Sequence, residues 1–301
     1  MSDFIQYTIN GLTAGAFYAL VALGYTIIYG IIRLINFAHG DLTMVGSFIG
    51  WTVLVQFGLA KLPLAIAIAA AVLASMLVSS VINVGILQFA YKPLLKRSLL
   101  AILITALGMS LLLQNAVLNI PFYGATIQAY PPLVGSAGVQ IGAIRASYGQ
   151  MIFFSISILL MVCLYLFVRF TTVGTAMRAL AVDHDAARLM GIDVDRVIAI
   201  AFILGAVLAA AAGVMIGLYY IQISFFMGFL LGLRAFTAAV LGGIGNIPGA
   251  MAGGLLIGLL ESYCAGYLSS RWQDVFVFGI LITVLIIKPT GLLGERVAER
   301  M

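Results

Sequence analysis

Charge is what this sequence has least of. Only 8% of its 301 residues are Asp, Glu, Lys or Arg, against about 25% in a soluble domain. It has two cysteines, Cys163 and Cys264. Both sit inside apolar runs and read as small core hydrophobes, which excludes a disulfide framework or a zinc site built on them. Its two histidines, His39 and His184, are far apart, so there is no His-Glu-x-x-His metalloprotease motif. None of its four lysines follows a glycine, so a phosphate-binding Gly-Lys-Ser/Thr loop is missing and ATP hydrolysis by this chain is excluded. There is no Gly-x-Ser-x-Gly, and the Gly-Gly-Ile-Gly at 242–245 has no βα unit around it. No catalytic residue, cofactor or metal site is expected, and the chain reads as a non-enzyme. Nucleic acid is not an expected partner.

What is present is hydrophobic. Apolar residues make up 63% of the chain and mean hydropathy is +1.18. Those values exclude disorder and a soluble single domain. Seven stretches contain no Asp, Glu, Lys or Arg: Phe4–Ile32, Leu42–Ala60, Leu62–Tyr91, Ser98–Ile144, Ala146–Val168, Val197–Leu233 and Ala235–Leu260. A membrane helix needs about 20 apolar residues, and barrel strands alternate instead. The expected fold is therefore an all-α integral membrane protein, one polytopic domain over 1–301 with about eight to nine transmembrane segments.

Cutting the runs at Gly, Pro and polar clusters predicts spans at Ile5–Ile28, Leu42–Phe57, Pro63–Leu87, Leu99–Leu118, Gln150–Val168, Val197–Ile221, Phe226–Leu241, Ile247–Leu268 and Val275–Ile287. The seventh and ninth are short enough to be partial. The N-terminus has no basic n-region and reads as a retained first span. Lys92, Lys96 and Arg97, then Arg169, Arg178, Arg188 and Arg196, then Lys288, Arg296 and Arg300 fall in alternate loops. The opposite loops hold only Lys61, Arg145 and Arg271. With basic loops inside, the N-terminus is outside and the C-terminus inside. That parity needs an odd number of crossings: nine, or seven if the seventh segment re-enters.

Two loops are long. Residues 119–149 form a polar, Pro- and Gly-containing external loop expected to cover the outer mouth. The cytoplasmic loop, residues 169–196, repeats apolar residues at helical spacing and predicts two short helices, the second capped by Asp183 and stopped at Gly191. Two Gly-containing breaks echo each other: Asn36-Phe-Ala-His-Gly-Asp before the second span and Leu241-Gly-Gly-Ile-Gly-Asn-Ile-Pro-Gly before the eighth. Paired interruptions of this kind point to a transport pathway. Gly-x-x-x-Gly recurs at Gly11/Gly15, Gly46/Gly50, Gly213/Gly217, Gly228/Gly232, Gly249/Gly253 and Gly254/Gly258, and reads as tight helix packing.

Few ionisable groups lie near the spans. Glu261 reads either as an interior or pathway group, with Arg234 as its partner, or as an interfacial group. Asn36, His39 and Asp41 read as caps of the second helix, with an inner-mouth role as the alternative. The pathway candidates are thus Asn36, His39, Asp41, Arg234, Gly242, Gly243, Gly245, Asn246 and Glu261.

In the cytoplasmic loop, Asp185-Ala186-Ala187-Arg188-Leu189-Met190-Gly191 has the form acidic-Ala-Ala-x-x-x-Gly. An acidic residue suits a helix start, two alanines give a flat surface, and glycine ends the helix. This resembles the ATPase-docking loop of bacterial ABC importer permeases. The stretches from Tyr29 to Asp41, from Ala235 to Ala250, from Thr175 to Ala181 and from Met190 to Arg196, and the ending Pro289-Thr-Gly-Leu-Leu-Gly, are similar to the branched-chain amino acid ABC transporter permease family, H-type subunit. Two departures are Asp185 where Glu is usual and Arg234 where Lys is expected. The resemblance implies a bacterial inner-membrane protein working with a second, related permease, two cytoplasmic ATP-binding subunits and an external substrate-binding protein, in contact with membrane lipid. It makes Arg178, Asp183, Asp185, Ala186, Ala187 and Gly191 the coupling residues. Branched-chain or other apolar amino acids are the implied substrates, with urea or short amides as the alternative. A proton-coupled transporter relaying through Glu261, His39 and Asp41 is the rival of another class.

Overall fold

The computed structural model describes residues 2–94, 98–135, 137–142 and 144–294. Lys96, Arg97, Arg296 and Arg300, used above for orientation, lie outside the described residues. Eleven α-helices are present among the described residues. In chain order they are α1 Ser2–Ile32, α2 Ala38–Trp51, α3 Leu64–Ile86, α4 Leu99–Asn119, α5 Tyr148–Phe170, α6 Thr172–Val182, α7 His184–Leu189, α8 Val194–Tyr220, α9 Met227–Gly242, α10 Ile247–Tyr267 and α11 Gln273–Ile287. Seven helical stretches are long and apolar enough to cross a membrane, and α9 is a shorter apolar helix. α2 continues through a π-turn at Thr52–Gln56 but carries His39 and Asp41 in its first turn.

The fold is not purely helical, as its composition led one to expect. Four short strands occur among the described residues: β1 Gln128–Ala129, β2 Gly138–Ile141, β3 Ile144–Ser147 and β4 Gln222–Ile223. β2 and β3 form an antiparallel hairpin, and β1 pairs with β4 just after α8. Strands of two to four residues are too short to carry a readable alternation, so sequence alone does not reveal them.

α1 is the spine. Its central face is buried from Gly15 to Ile28 without a break. Glycines decide how closely α10 lies against it. A Cβ on Gly15 would stand 2.8 Å from the Leu255 Cα, and one on Gly11 would stand 2.8 Å from the Leu259 Cα. Gly254 and Gly258 return the contact against Ala19 and Gly15. Lipid supplies no hydrophobic force between helices, so this backbone approach and its dispersion contacts hold the pair together. The other four Gly-x-x-x-Gly pairs are also filled: Gly46 meets Ala210, Gly213 meets Thr43, Gly228 and Gly232 meet Asp41 and Gly40, and Gly253 meets Ala238.

α3 shows the same logic in its periodicity. Ala67, Ala71, Ser75, Ser79 and Asn83 recur every fourth residue and are buried, while Leu73, Leu77 and Val81 point outward. Small and polar residues therefore face protein and large apolar ones face lipid. Ser75 Oγ donates to the Gly46 carbonyl (2.8 Å) and Asn83 Nδ2 to the Phe202 carbonyl (2.7 Å). Cys264 is buried, but Cys163 is on the outer face of α5, contrary to its reading as a core residue.

The two ends of the bundle are built differently. At one end Gln6 exchanges two hydrogen bonds with the Arg145 backbone (3.0 and 2.8 Å), and Trp51 Nε1 donates to the Ala129 carbonyl (2.9 Å). Tyr130 enters the bundle from the 119–149 loop, where burial pushes its phenol well above the usual tyrosine range. At the other end Gly30 of α1 approaches Gly245, and Asn246 Nδ2 donates to the Leu293 carbonyl (2.9 Å). Residue 6 and residues 291–294 thus lie at opposite ends of α1. The second Gly-containing break lies at this end, where Gly245 meets Gly30 of α1, while Gly40 of the first packs on Gly228 and Gly232 of α9.

Candidate functional site

Three groups of functional side chains result. The first is on α6 and α7, at the end where residues 291–294 lie. Asp183 caps α7, its Oδ1 accepting from the Asp185 and Ala186 amides (2.8 and 3.0 Å). Asp185 is in the first turn, where its charge suits the helix dipole. Gly191 has φ +83°, and its amide donates to the Arg188 carbonyl, closing the helix. Arg178 is exposed on α6 and donates to Thr175 Oγ1 (3.2 Å). Ala186 is exposed, but Ala187 is buried against its own chain, so the pair does not form one flat exposed surface. The outward surface is instead Leu189 and Met190, 89% and 84% exposed. Their isolation in sequence hides them: two apolar residues in a polar loop read as core until their direction is known.

The second group is inside the bundle, between α2 and α4. Asp41 is completely buried and accepts from Ser110 Oγ (2.5 Å) and Gln114 Nε2 (3.1 Å). The capping role expected for Asn36, His39 and Asp41 is not what the structure shows. Phe37 occupies the N-cap position without a side-chain bond, because all three side chains turn into the bundle. His39 packs edge-on to Tyr25 in room left by Gly24 and Gly205. Asn36 Oδ1 accepts from the Tyr91 hydroxyl (2.6 Å). Ser110 and Gln114 are four apart on α4, a signal that the sequence offered but that apolar neighbours obscured.

The Gly242, Gly243, Gly245 and Asn246 break is a packed turn. Gly243 (φ +108°) and Gly245 (φ +95°) take backbone conformations that favour glycine, and Asn246 Oδ1 accepts from the Gly249 amide to cap α10. Leu292 and Leu293 amides donate to the Leu241 and Gly242 carbonyls (2.8 and 2.9 Å), so the 291–294 segment satisfies the last carbonyls of α9.

The third group joins four helices. Arg234 on α9 donates through Nη1 to Glu261 Oε1 (2.5 Å) and to the Tyr18 hydroxyl (3.3 Å). Through Nε and Nη2 it donates to Asp274 Oδ1 on α11 (3.0 and 2.8 Å). Glu261 on α10 is buried. Tyr18 and Arg234 also line a cavity of about 300 Å³ whose other walls include Ile127 of the 119–149 loop and Gln222 and Ile223 of β4.

A model of the family described as branched-chain amino acid transport system, permease component, matches residues 7–285. The chain belongs to that family. Among its relatives, the high-affinity branched-chain amino acid transport permease BraD of Pseudomonas aeruginosa is 43% identical over 99% of this chain and 98% of its own length. The permeases named LivH from Salmonella typhimurium and Escherichia coli K12 are 41% and 40% identical, each over 99% of this chain and 98% of their own length. This permease is accordingly a multi-pass membrane protein and a transport subunit.

Proposed function

We propose that the chain is the permease subunit of an ATP-driven ABC importer, and forms with a second, homologous permease the transmembrane pathway for branched-chain or other apolar amino acids. The observation that carries this is full-length identity of 40–43% to permeases named for that transport. The same names favour amino acids over urea or amides. Two cytoplasmic ATP-binding subunits and an external substrate-binding protein complete the machine, and the whole chain acts as one permease domain.

Nine crossings, with the N-terminus outside and the C-terminus inside, fit the charge distribution. Arg169, Arg178, Arg188, Arg196, Lys92 and Lys288 gather at one end, and Lys92 pairs with Asp195 there (2.7 Å). In this reading α2 with its π-turn and the short α9 both cross.

ATP binding closes the ATPases, and α6–α7 receives that motion. Leu189 and Met190 are the apolar contact, Asp185, Ala186 and Arg178 surround it, and the Gly191 turn fixes its angle. Permeation then depends on which side the bundle opens. Two substitutions test this in the assembled complex. Leu189→Asp puts a charge on the contact, and Gly191→Pro forces φ away from +83° and deletes an amide donor. Both should leave the chain in the membrane, reduce ATPase co-purification with a tagged chain at least tenfold, and abolish leucine uptake. Undiminished ATPase recovery and uptake in both variants would reject the docking surface. A wild-type chain that purifies without any ATPase would reject the importer.

A further inference from the structure

Gly50 of α2 and Gly217 of α8 together leave a notch in the bundle, and a loop residue fills it. Tyr130 enters from the 119–149 loop and is 1% exposed. A Cβ on Gly50 would stand 2.6 Å from the Tyr130 hydroxyl oxygen, and one on Gly217 would stand 2.5 Å from its ring. The Tyr130 hydroxyl donates to the Ser47 carbonyl (3.3 Å), and Trp51 Nε1 donates to the Ala129 carbonyl (2.9 Å). The Thr52 and Tyr123 hydroxyls meet at 2.5 Å. Residues 123–130 are thus fastened to α2 at several points.

The other edge of the same segment is held more thinly. Gln128 and Ala129 pair with Ile223 and Gln222, and the Tyr130 amide donates to the Ile221 carbonyl (3.0 Å). Ile221, which receives that bond, ends α8 at φ +58°. Glycine or asparagine is usual at such a helix end, and a β-branched residue there is a steric outlier. Its side chain is 47% exposed, so close packing does not hold the conformation in place; the bond from Tyr130 restrains it. Ile127, Gln222, Ile223 and Ser224 also wall the 300 Å³ cavity, while Arg234 stands about two turns into α9.

We infer that β1 and β4 form a strap across the outer end of this cavity, anchored at Tyr130 and sprung at Ile221. It opens by parting β4 from β1, which frees Ile221 to leave the left-handed region. Backbone strain favours the open form and the short ladder favours the closed one, so the element has two states close in energy. The word outer rests on the orientation proposed above; the strap itself does not.

Thiol labelling of the assembled complex tests the strap. Ile216→Cys, in a Cys163→Ser background, puts a thiol on a cavity wall that is 4% exposed. Its rate of reaction with a hydrophilic maleimide follows the open fraction. Tyr130→Ala removes the anchor and should raise that rate at least threefold, whereas Tyr130→Phe keeps the ring in its notch and should leave it unchanged. Ile221→Asn relieves the strain of the closed form without glycine's added freedom and should lower the rate at least threefold. The opposite signs separate a sprung strap from general loosening. A rate unchanged or raised by Ile221→Asn would overturn the proposal, and that position is exposed enough for the variant to fold. So would a rate unmoved by Tyr130→Ala. In intact cells an impermeant maleimide should reach the thiol from outside. Labelling only after permeabilisation, with the order of rates kept, would reject the orientation and leave the strap standing.

Discussion

Asp41 and Glu261 are both carboxylates in membrane-embedded helices, and the bundle treats them in opposite ways. Asp41 is enclosed and takes its hydrogen bonds from two uncharged groups, Ser110 and Gln114, on a single neighbouring helix. Glu261 faces the Arg234 guanidinium, which it shares with Asp274 and Tyr18 and which itself lines a cavity. Placing a charge in a bilayer costs about 2.5–3.5 kcal/mol on insertion scales. Neutral donors on one helix meet that cost in a closed, two-helix arrangement. A counter-charge meets it while leaving the site open. The first arrangement ties α2 to α4; the second ties α9 to α1, α10 and α11.

The comparison can be broken most severely at Arg234. Arg234→Ala removes the only cation of its cluster and leaves Glu261 and Asp274 facing each other. Removing one partner of a buried pair costs about 3–5 kcal/mol, and thermal denaturation of the purified chain in detergent should show it as a large fall in midpoint. A loss below about 1 kcal/mol would mean that water already solvates both carboxylates. The next test is at the closed cluster. Gln114→Ala takes one of two donors from fully buried Asp41 and should cost about 1–3 kcal/mol, because the oxygen has no water to turn to. The same melting experiment reads it; an unchanged midpoint would show the cluster to be as open as the other. The smallest effect is expected for Tyr18→Phe. Its hydroxyl meets Arg234 at 3.3 Å beside the cavity, where water can replace it, so the loss should stay under about 1 kcal/mol. A loss as large as that of Gln114→Ala would erase the distinction between open and closed.

Much of the bundle is written in local pattern. The apolar run around α5, the Asp183 cap and the Gly191 stop are set by residues within a few positions of one another, and sequence reading finds them. The Gly-x-x-x-Gly pairs announce close packing but not the partner, because any small-residue face accepts any other. Arg234 and Glu261, two of very few charges near the spans, could be paired on scarcity alone. Asp41 could not be placed, since its partners are 69 and 73 residues away and look like ordinary polar residues of another span. In sequence it reads as a cap, because Asp near a helix start usually is one. Ala187 reads as part of an exposed surface, because alanine has no preference strong enough to tell. The cavity was invisible for a simpler reason: residues such as Phe17 and Leu231 are the same types whether they line a space or fill it.

The spine arrangement also has a consequence in time. Ser262 Oγ on α10 donates to the carbonyl of Tyr7 on α1, 255 residues earlier. At a synthesis rate of ~5–20 residues per second, roughly 10–50 s separate the insertion of α1 from that of its main partner. Through that interval Gly11 and Gly15 face lipid or passing helices. The helix that ends most deeply enclosed is the one that waits longest in the bilayer. Assembly of this permease is therefore a late closing around its first segment, and the ~20-residue α10 is the step that commits it.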